Sequence, residues 1–194
     1  MKKIILLCTV CLGFAAAQAQ DFNKDLADAR TAYAAGKLDD ARFAMQQMLQ
    51  ELDIITGKEI MKLLPAKMQD QNANAANDNV SGSSGFVGVI VHRDYGADNK
   101  NIDVEVISNS PMITSINAIL SMPLLGNMGD NKMVKIGGYK ALVQKSSNGT
   151  NFDYEVQLPL NSTLITLKAP GYTQEQVIQM ANSLPIAQIA KIAQ

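Results

Sequence analysis

The spacing of apolar residues changes period once along this chain, and that change restricts the fold more than any other feature. Over residues 21–66 the large apolar side chains recur every three or four positions; from Phe86 onward they alternate with polar residues or run together. Side chains three and four apart share one face of a helix, and side chains two apart share one face of a strand. The chain must therefore join a helical front to a sheet.

Residues 21–66 read as helix throughout. Gly36 punctuates the first helix, and Asp39 suits the cap of the next. The second helix carries Ala41, Met45, Met48, Leu52 and Ile55, whose spacing puts them on one face, and the first offers Phe22, Leu26, Ala29 and Tyr33. Two such stripes joined by a short loop make a helical hairpin. Gly57 is expected to kink or end the second helix. Ile60, Leu63 and Leu64 add one apolar turn before Pro65 stops it. Residues 67–85 are then expected to be a flexible linker. Their run QDQNANAANDNVSGSSG has Val80 as its only large apolar side chain, too little burial to offset the entropy of ordering.

The stretch AYAAGKLDDARFAMQQML, Ala32 to Leu49, resembles a single tetratricopeptide-type repeat. Tyr33, Gly36, Leu38 and Ala41 stand where that family places an aromatic, a turn glycine, a packing residue and a small residue. The resemblance implies a hairpin and its packing style. It does not imply a peptide-binding array, because a solenoid needs about three stacked repeats to bury its faces. The hairpin must lay its stripe on the rest of the chain, on a protein partner or on a second copy of itself.

Behind the linker, Phe86 to Val91 is a continuous apolar run with β-branched residues, suited to a strand covered on both sides. Ile102, Val104 and Val106 alternate with Asp103 and Glu105 after the turn GADNKN, completing a hairpin. Ser110 suits an N-cap and Pro111 a first helical position, with Ile113, Ile116 and Leu120 at helical spacing until Pro123. Val134 and Ile136 open a meander in which Gly137-Gly138 bends or bulges the strand before Tyr139, Ala141 and Val143. Ser147 to Thr150 signals a hairpin turn. Phe152, Tyr154, Val156 and Leu158 alternate cleanly with polar residues, and Leu164 to Leu167 follows. Thr173 with Gln176 forms a capping box ahead of Val177, Met180, Ala181 and Leu184, and Pro185 starts a last apolar turn. The expected class is α+β: an N-terminal helical hairpin, then, over residues 86–194, a mostly antiparallel sheet of about five to six strands with helices on one face. The segment Lys135 to Leu184 is similar to the end of small extracytoplasmic bacterial domains of unknown function. That resemblance implies a non-catalytic envelope module and transfers no site.

The first residues give the compartment. Lys2 and Lys3 precede an uncharged apolar run from Ile4 to Ala17, and Ala17-Gln18-Ala19 is a small-x-small cleavage site. Residues 1–19 are therefore read as a signal peptide, and its AQAQ ending resembles those of Bacteroidetes-type bacteria. The run is shorter than the roughly 20 residues that cross a bilayer, and no later segment is apolar enough to span one. The expected location is periplasmic, with secretion or the outer surface as alternatives. Cys8 and Cys11 both lie in the leader, so the processed chain has no disulfide, thiol nucleophile or thiolate metal site. Loss of Lys2 and Lys3 from 17 cationic side chains moves the net charge from −1 to −3. Such a chain lacks the electrostatic footprint of a nucleic-acid binder.

No constellation of reactive groups stands out. His92 is the only histidine, and strand alternation lets it share a face with Asp94, but no nucleophile accompanies the pair. One histidine, no cysteine and scattered carboxylates do not form a metal set, and no cofactor is implied. Gly82-Ser83-Ser84-Gly85 has the wrong spacing for a nucleophile elbow. Gly137-Gly138 lacks the rest of a phosphate loop, and Asp153 and Glu155 read as a solvated strand face. Two apolar surfaces remain. Tyr33, Met45, Met48, Leu52 and Ile55 make a candidate partner-binding stripe. Met122, Leu124, Leu125, Met128 and Met133 make a candidate loop gating an apolar small molecule, since methionine suits adaptable surfaces. The favoured expectation is a non-enzymatic binding protein of the bacterial envelope. An apolar-ligand carrier is the alternative, and a hydrolase the least supported.

Overall fold

In a computed structural model, which describes residues 22–82, 88–97, 101–122, 124–148 and 151–193, the front of the chain forms two helices, α1 (22–34) and α2 (Leu38–Leu63). The leader lies outside the described residues. Gly36 ends α1 with φ +71°, and the N–H groups of Gly36 and Lys37 turn back to the carbonyls of Tyr33 and Ala32 at 3.0 and 2.9 Å. That left-handed cap needs glycine. Helix α2 begins at Leu38, so Asp39 sits inside its first turn rather than before it, where its charge still favours the positive end of the helix dipole.

The chain divides into two compact units, Met1–Asp53 and Ile54–Gln194. In the first, the buried apolar residues among those described are small: Ala29 of α1 and Ala41 and Ala44 of α2. The expected stripe is therefore corrected by one step around the helix. Burial follows Ala41 and Ala44, with Met48 half-buried, and leaves Met45, Leu52 and Ile55 exposed. Each residue advances about 100° around a helix, so the choice between Ala44 and Met45 as the inward residue is the difference between two adjacent stripes.

The second unit opens on the last turns of α2. Gly57 neither kinks nor ends this helix. A β-carbon there would stand 2.4 Å from Val89 Cγ2 and 2.6 Å from Val80 Cγ1, so glycine is what lets the helix lie directly on the strands. Ile60, Leu64 and Met68 then enter the core.

The expected linker is corrected more fully. Residues 67–82 form strands β1 (Lys67–Met68), β2 (Gln71–Asn72) and β3 (Asn79–Gly82), while residues 83–85 lie outside the described residues. Backbone pairing orders them, together with Met68 in the core and Ala73 and Val80 packed against it. β1 pairs with β2, β3 pairs with β4 (Val89–Tyr95), and the N–H groups of Ala73 and Asn74 reach the carbonyls of Ala66 and Asp94, both at 2.9 Å. Arg93 secures the segment from below. Its guanidinium donates from Nε and Nη2 to both carboxylate oxygens of Asp78, and from Nη1 to the Leu64 carbonyl at 2.8 Å, at the end of α2. The hydrogen bond to Asp78 raises the guanidinium pKa above its ordinary value despite partial burial.

The main sheet has seven strands in the order β3-β4-β5-β9-β8-β7-β6, and every neighbouring pair is antiparallel. Beyond β5 (Ile102–Ser108) the chain crosses through α3 (Ile113–Ser121) to β6 (Asn131–Ile136). It then meanders back through β7 (Tyr139–Asn148), β8 (Asn151–Leu160) and β9 (Thr163–Pro170), which closes beside β5. This is the α+β class the periodicity implied; the strand beyond the expected number is β3. Gly137-Gly138 is not a bend within a strand. Ile136 pairs with Tyr139 and both glycines have positive φ, so they form the tight turn of the β6–β7 hairpin. The turn expected at 147–150 falls partly outside the described residues. Ser110 does not cap α3, which starts at Ile113 without a side-chain cap.

Strand alternation gives the sheet two faces with different covers. Val104, Val106, Val156, Leu158, Ile165 and Leu167 join one core cluster with α4 (Gln174–Ser183) and α5 (Ile186–Ile192). Leu142 and Leu164, one step along their strands, meet Ile116 and Leu120 of α3 on the opposite face. The helices thus divide between both faces, where one face was expected. The capping box of α4 is formed: Gln176 N–H donates to Thr173 Oγ1 at 3.3 Å, and Gln176 Oε1 accepts from Thr173 N–H at 2.9 Å.

Tyr95 is fully buried and its hydroxyl has no hydrogen-bond partner. Burial pushes its phenol up to about 12, against the pull of Arg93. Between its ordinary value of 10.0 and about 12 the unfolded chain has released this proton while the folded chain retains it, so stability falls as pH rises through that window. Tyr95→Phe is expected to leave neutral-pH stability unchanged or higher, because it deletes an unsatisfied polar group. It should also flatten the alkaline loss, read as the urea midpoint against pH.

Candidate functional site

Large apolar side chains left in water are the most unusual surface feature of the first unit. On α2, Leu38, Met45, Leu49 and Leu52 follow one another seven, four and three residues apart, a spacing that places them on one helix face. Their exposures are 60, 47, 62 and 46%. Tyr33 on α1 is 68% exposed and Phe43 63%. Phe43 borders a depression floored by Ala32, Ala35 and Ala44 and rimmed by Asp25, Asp28, Lys24 and Lys37. Of the residues named from sequence for partner binding, Tyr33, Met45 and Leu52 are exposed in this unit and Met48 is half-buried; Ile55, exposed, belongs to the second. Leu49 and Phe43 escaped the sequence reading, and Leu38, which the repeat resemblance made a packing residue, is exposed instead. Leu38 and Leu49 extend the exposed edge of the stripe to which Met45 and Leu52 belong.

The methionine-rich loop follows α3. Met122, Leu124 and Met128 are exposed, Leu124 most of all at 78%. Met133 instead packs with the α3 cluster and closes over Gly126, where a β-carbon would lie 2.6 Å from its Cε. The backbone of Leu125 opens a short 3-10 turn (Leu125–Asn127), and its side chain lies outside the described residues. The loop thus has apolar tips on a packed base.

The second unit also carries a polar tray on the sheet face that α3 covers in part. His92, Asp103, Glu105, Thr166 and Lys168 line a depression of about 190 Å3. Register assembles it: His92 faces Glu105, Glu105 faces Thr166, and Asp103 faces Lys168 across neighbouring strands. The His92–Asp94 contact expected from alternation is not made. His92 Nε2 hydrogen-bonds Asp103 Oδ1, while Asp94 Oδ2 accepts from Asn74 and Asn77. Asp103 stands diagonal to His92 across the β4–β5 ladder, within reach of its imidazole, while Asp94 is engaged by the two asparagines instead. Nothing in the linear sequence links residues 92, 103, 105, 166 and 168, so no local signal pointed to the tray. On the far strand, Gln157 donates to Glu155 at 2.7 Å, which occupies that carboxylate within the same face.

Among the described residues, no three His, Cys, Asp or Glu side chains converge as a metal cluster. Nor, among them, is any helix long and apolar enough to cross a membrane. No family model, curated protein or solved structure matches the chain.

Proposed function

We propose that the protein is a non-enzymatic docking module of the bacterial envelope, holding the apolar helical surface of a protein partner against α2. One observation carries this reading. In the first unit the small apolar residues of α2 are buried and the large ones, apart from half-buried Met48, are exposed, with Leu49 62% accessible beside Leu38, Met45 and Leu52. Contiguous exposed apolar surface of this kind marks interaction sites, and an i, i+4, i+7 row of aliphatic anchors such as Met45, Leu49 and Leu52 is how helices engage helices. The leader sequence supports export, which puts the partner in the same compartment or makes it a second copy of the chain.

The paired substitution Leu49→Asp and Leu52→Asp tests it. Both side chains are solvent-exposed, so thermal stability should change little. Association should weaken by at least about tenfold, since buried anchors dominate interface energies. The readouts are sedimentation equilibrium of the chain alone and photocrosslinking from position 49 in the native envelope. A monomer that yields no crosslinked product from position 49 overturns the reading.

A further inference from the structure

Two acceptor oxygens at one end of the sheet are buried and receive nothing: Asp94 Oδ1 and Asn101 Oδ1. They belong to one neighbourhood. Asp94 stands directly opposite Asp103 in the β4–β5 ladder, and Tyr95 opposite Ile102. Asn101 immediately precedes Ile102, the first residue of β5, which sets it at the same end of the ladder as Asp94 and Asp103. Directly opposed residues lie about 5 Å apart at Cβ, and diagonal ones about 7–8 Å, which is within reach of a shared ion.

Asp94 is 6% exposed. Its other oxygen is held by neutral donors, Asn74 Nδ2 at 2.7 Å and Asn77 Nδ2 at 3.3 Å. Asn74 Nδ2 also donates to the Gly96 carbonyl, which brings a further oxygen to the same place. Among the described residues no cationic side chain forms an ion pair with Asp94. Arg93 is spent on Asp78 and His92 on Asp103. A buried carboxylate without a counter-charge is strongly disfavoured, and a cation at this end of the ladder would satisfy both unpartnered acceptors. The available donor atoms are all oxygen, from carboxylate, side-chain amide and backbone carbonyl. That is a calcium set rather than a transition-metal one, and its irregular arrangement suits calcium better than the strict octahedron of magnesium.

We propose that Asp94, Asn101 and Asp103 form a calcium site that ties the end of β4 to the start of β5, with solvent completing the coordination on the Asp103 side, where that side chain is 40% exposed. The site leaves Asp103 its hydrogen bond to His92, because a carboxylate has lone pairs for both.

Calorimetric titration of calcium into the chelator-treated full chain tests this. One ion per chain should bind, with a Kd of about 10⁻⁴–10⁻³ M as in extracellular modules. Calcium should raise Tm, and equimolar magnesium should not displace it. Asp94→Asn should weaken binding at least about tenfold, the size of a lost first ligand or of its support. Asp103→Asn, at a half-exposed position that the fold tolerates, should weaken it as well and guards against a misfolded Asp94 variant. Absence of heat and of any Tm shift up to about 10 mM calcium, well past that affinity range, overturns the proposal. So does binding that both variants leave intact.

Discussion

Gly57→Ala is expected to destabilise the second unit by about 1–3 kcal/mol, although alanine is the better helix former by about 1 kcal/mol in an exposed helix. The new methyl would enter space already held by Val89 Cγ2 at 2.4 Å and Val80 Cγ1 at 2.6 Å, with Val91 Cγ2 at 3.2 Å. Two of these contacts are shorter than atoms tolerate, and the helix must lift from the strands or the valines must leave their rotamers. Lifting would strip cover from Ile60, which is fully buried three residues on. Gly57→Leu should exceed 3 kcal/mol, a large part of the roughly 5–15 kcal/mol that holds a domain folded. Urea unfolding followed by far-ultraviolet circular dichroism measures both. The decisive control is Val89→Ala placed in the Gly57→Ala background. If close approach is the cause, the valine truncation costs less there than in the wild type, and the two changes couple favourably. Additive losses would mean that glycine acts through backbone entropy alone.

Arg93→Met should cost about 2–3 kcal/mol. The range sits below the 3–5 kcal/mol typical of a fully buried pair, because the two side chains retain 13 and 19% exposure. Three hydrogen bonds are lost at once. Two leave the Asp78 carboxylate half-buried and unpaired; the third frees the Leu64 carbonyl at the end of α2. Asp78→Leu added to Arg93→Met should recover part of the loss, since an apolar pair no longer strands a charge. Hydrogen exchange should locate the damage in residues 67–82, whose strands owe their position to this anchor and to the pairing of β3 with β4.

The difference between those strands and the flexible linker that composition suggested is instructive. Asn, Ser and Gly side chains contribute little burial, so judged alone the segment should stay disordered. Its backbone, however, carries the same donors and acceptors as any other, and the free edge of β4 offers partners for them. Composition reports on side chains only; whether a neighbouring strand edge is available depends on residues far along the chain. Gly57 misleads in the same way. In an isolated helix glycine is a weak point, and only the adjacent valines reveal it as a contact surface.

The surfaces proposed for function divide similarly. Tyr33, Met45 and Leu52 were legible because helical spacing is local, yet Leu49 beside them was missed and Leu38 was read as a packing residue, since spacing does not say which arc turns inward. The polar tray and the Asp94–Asn101–Asp103 group were not legible at all. His92 was noticed as the lone histidine and paired by alternation with Asp94, whereas its partner, Asp103, lies on the next strand.

What the sequence by itself determined is what short-range chemistry controls: the switch from helical to strand period, the α+β class, the order of the meander, the Gly36 turn and the Thr173–Gln176 capping box. Each rests on residues within a few positions of one another, where the backbone leaves few alternatives. Tertiary structure alone decided which edge recruited residues 79–82, which stripe of α2 stayed in water, how the helices divided between the sheet's faces, and which carboxylates came to share one strand end. Those outcomes depend on register and packing between distant segments, and no local pattern encodes them because the competing arrangements differ only in contacts that form after the chain has closed on itself.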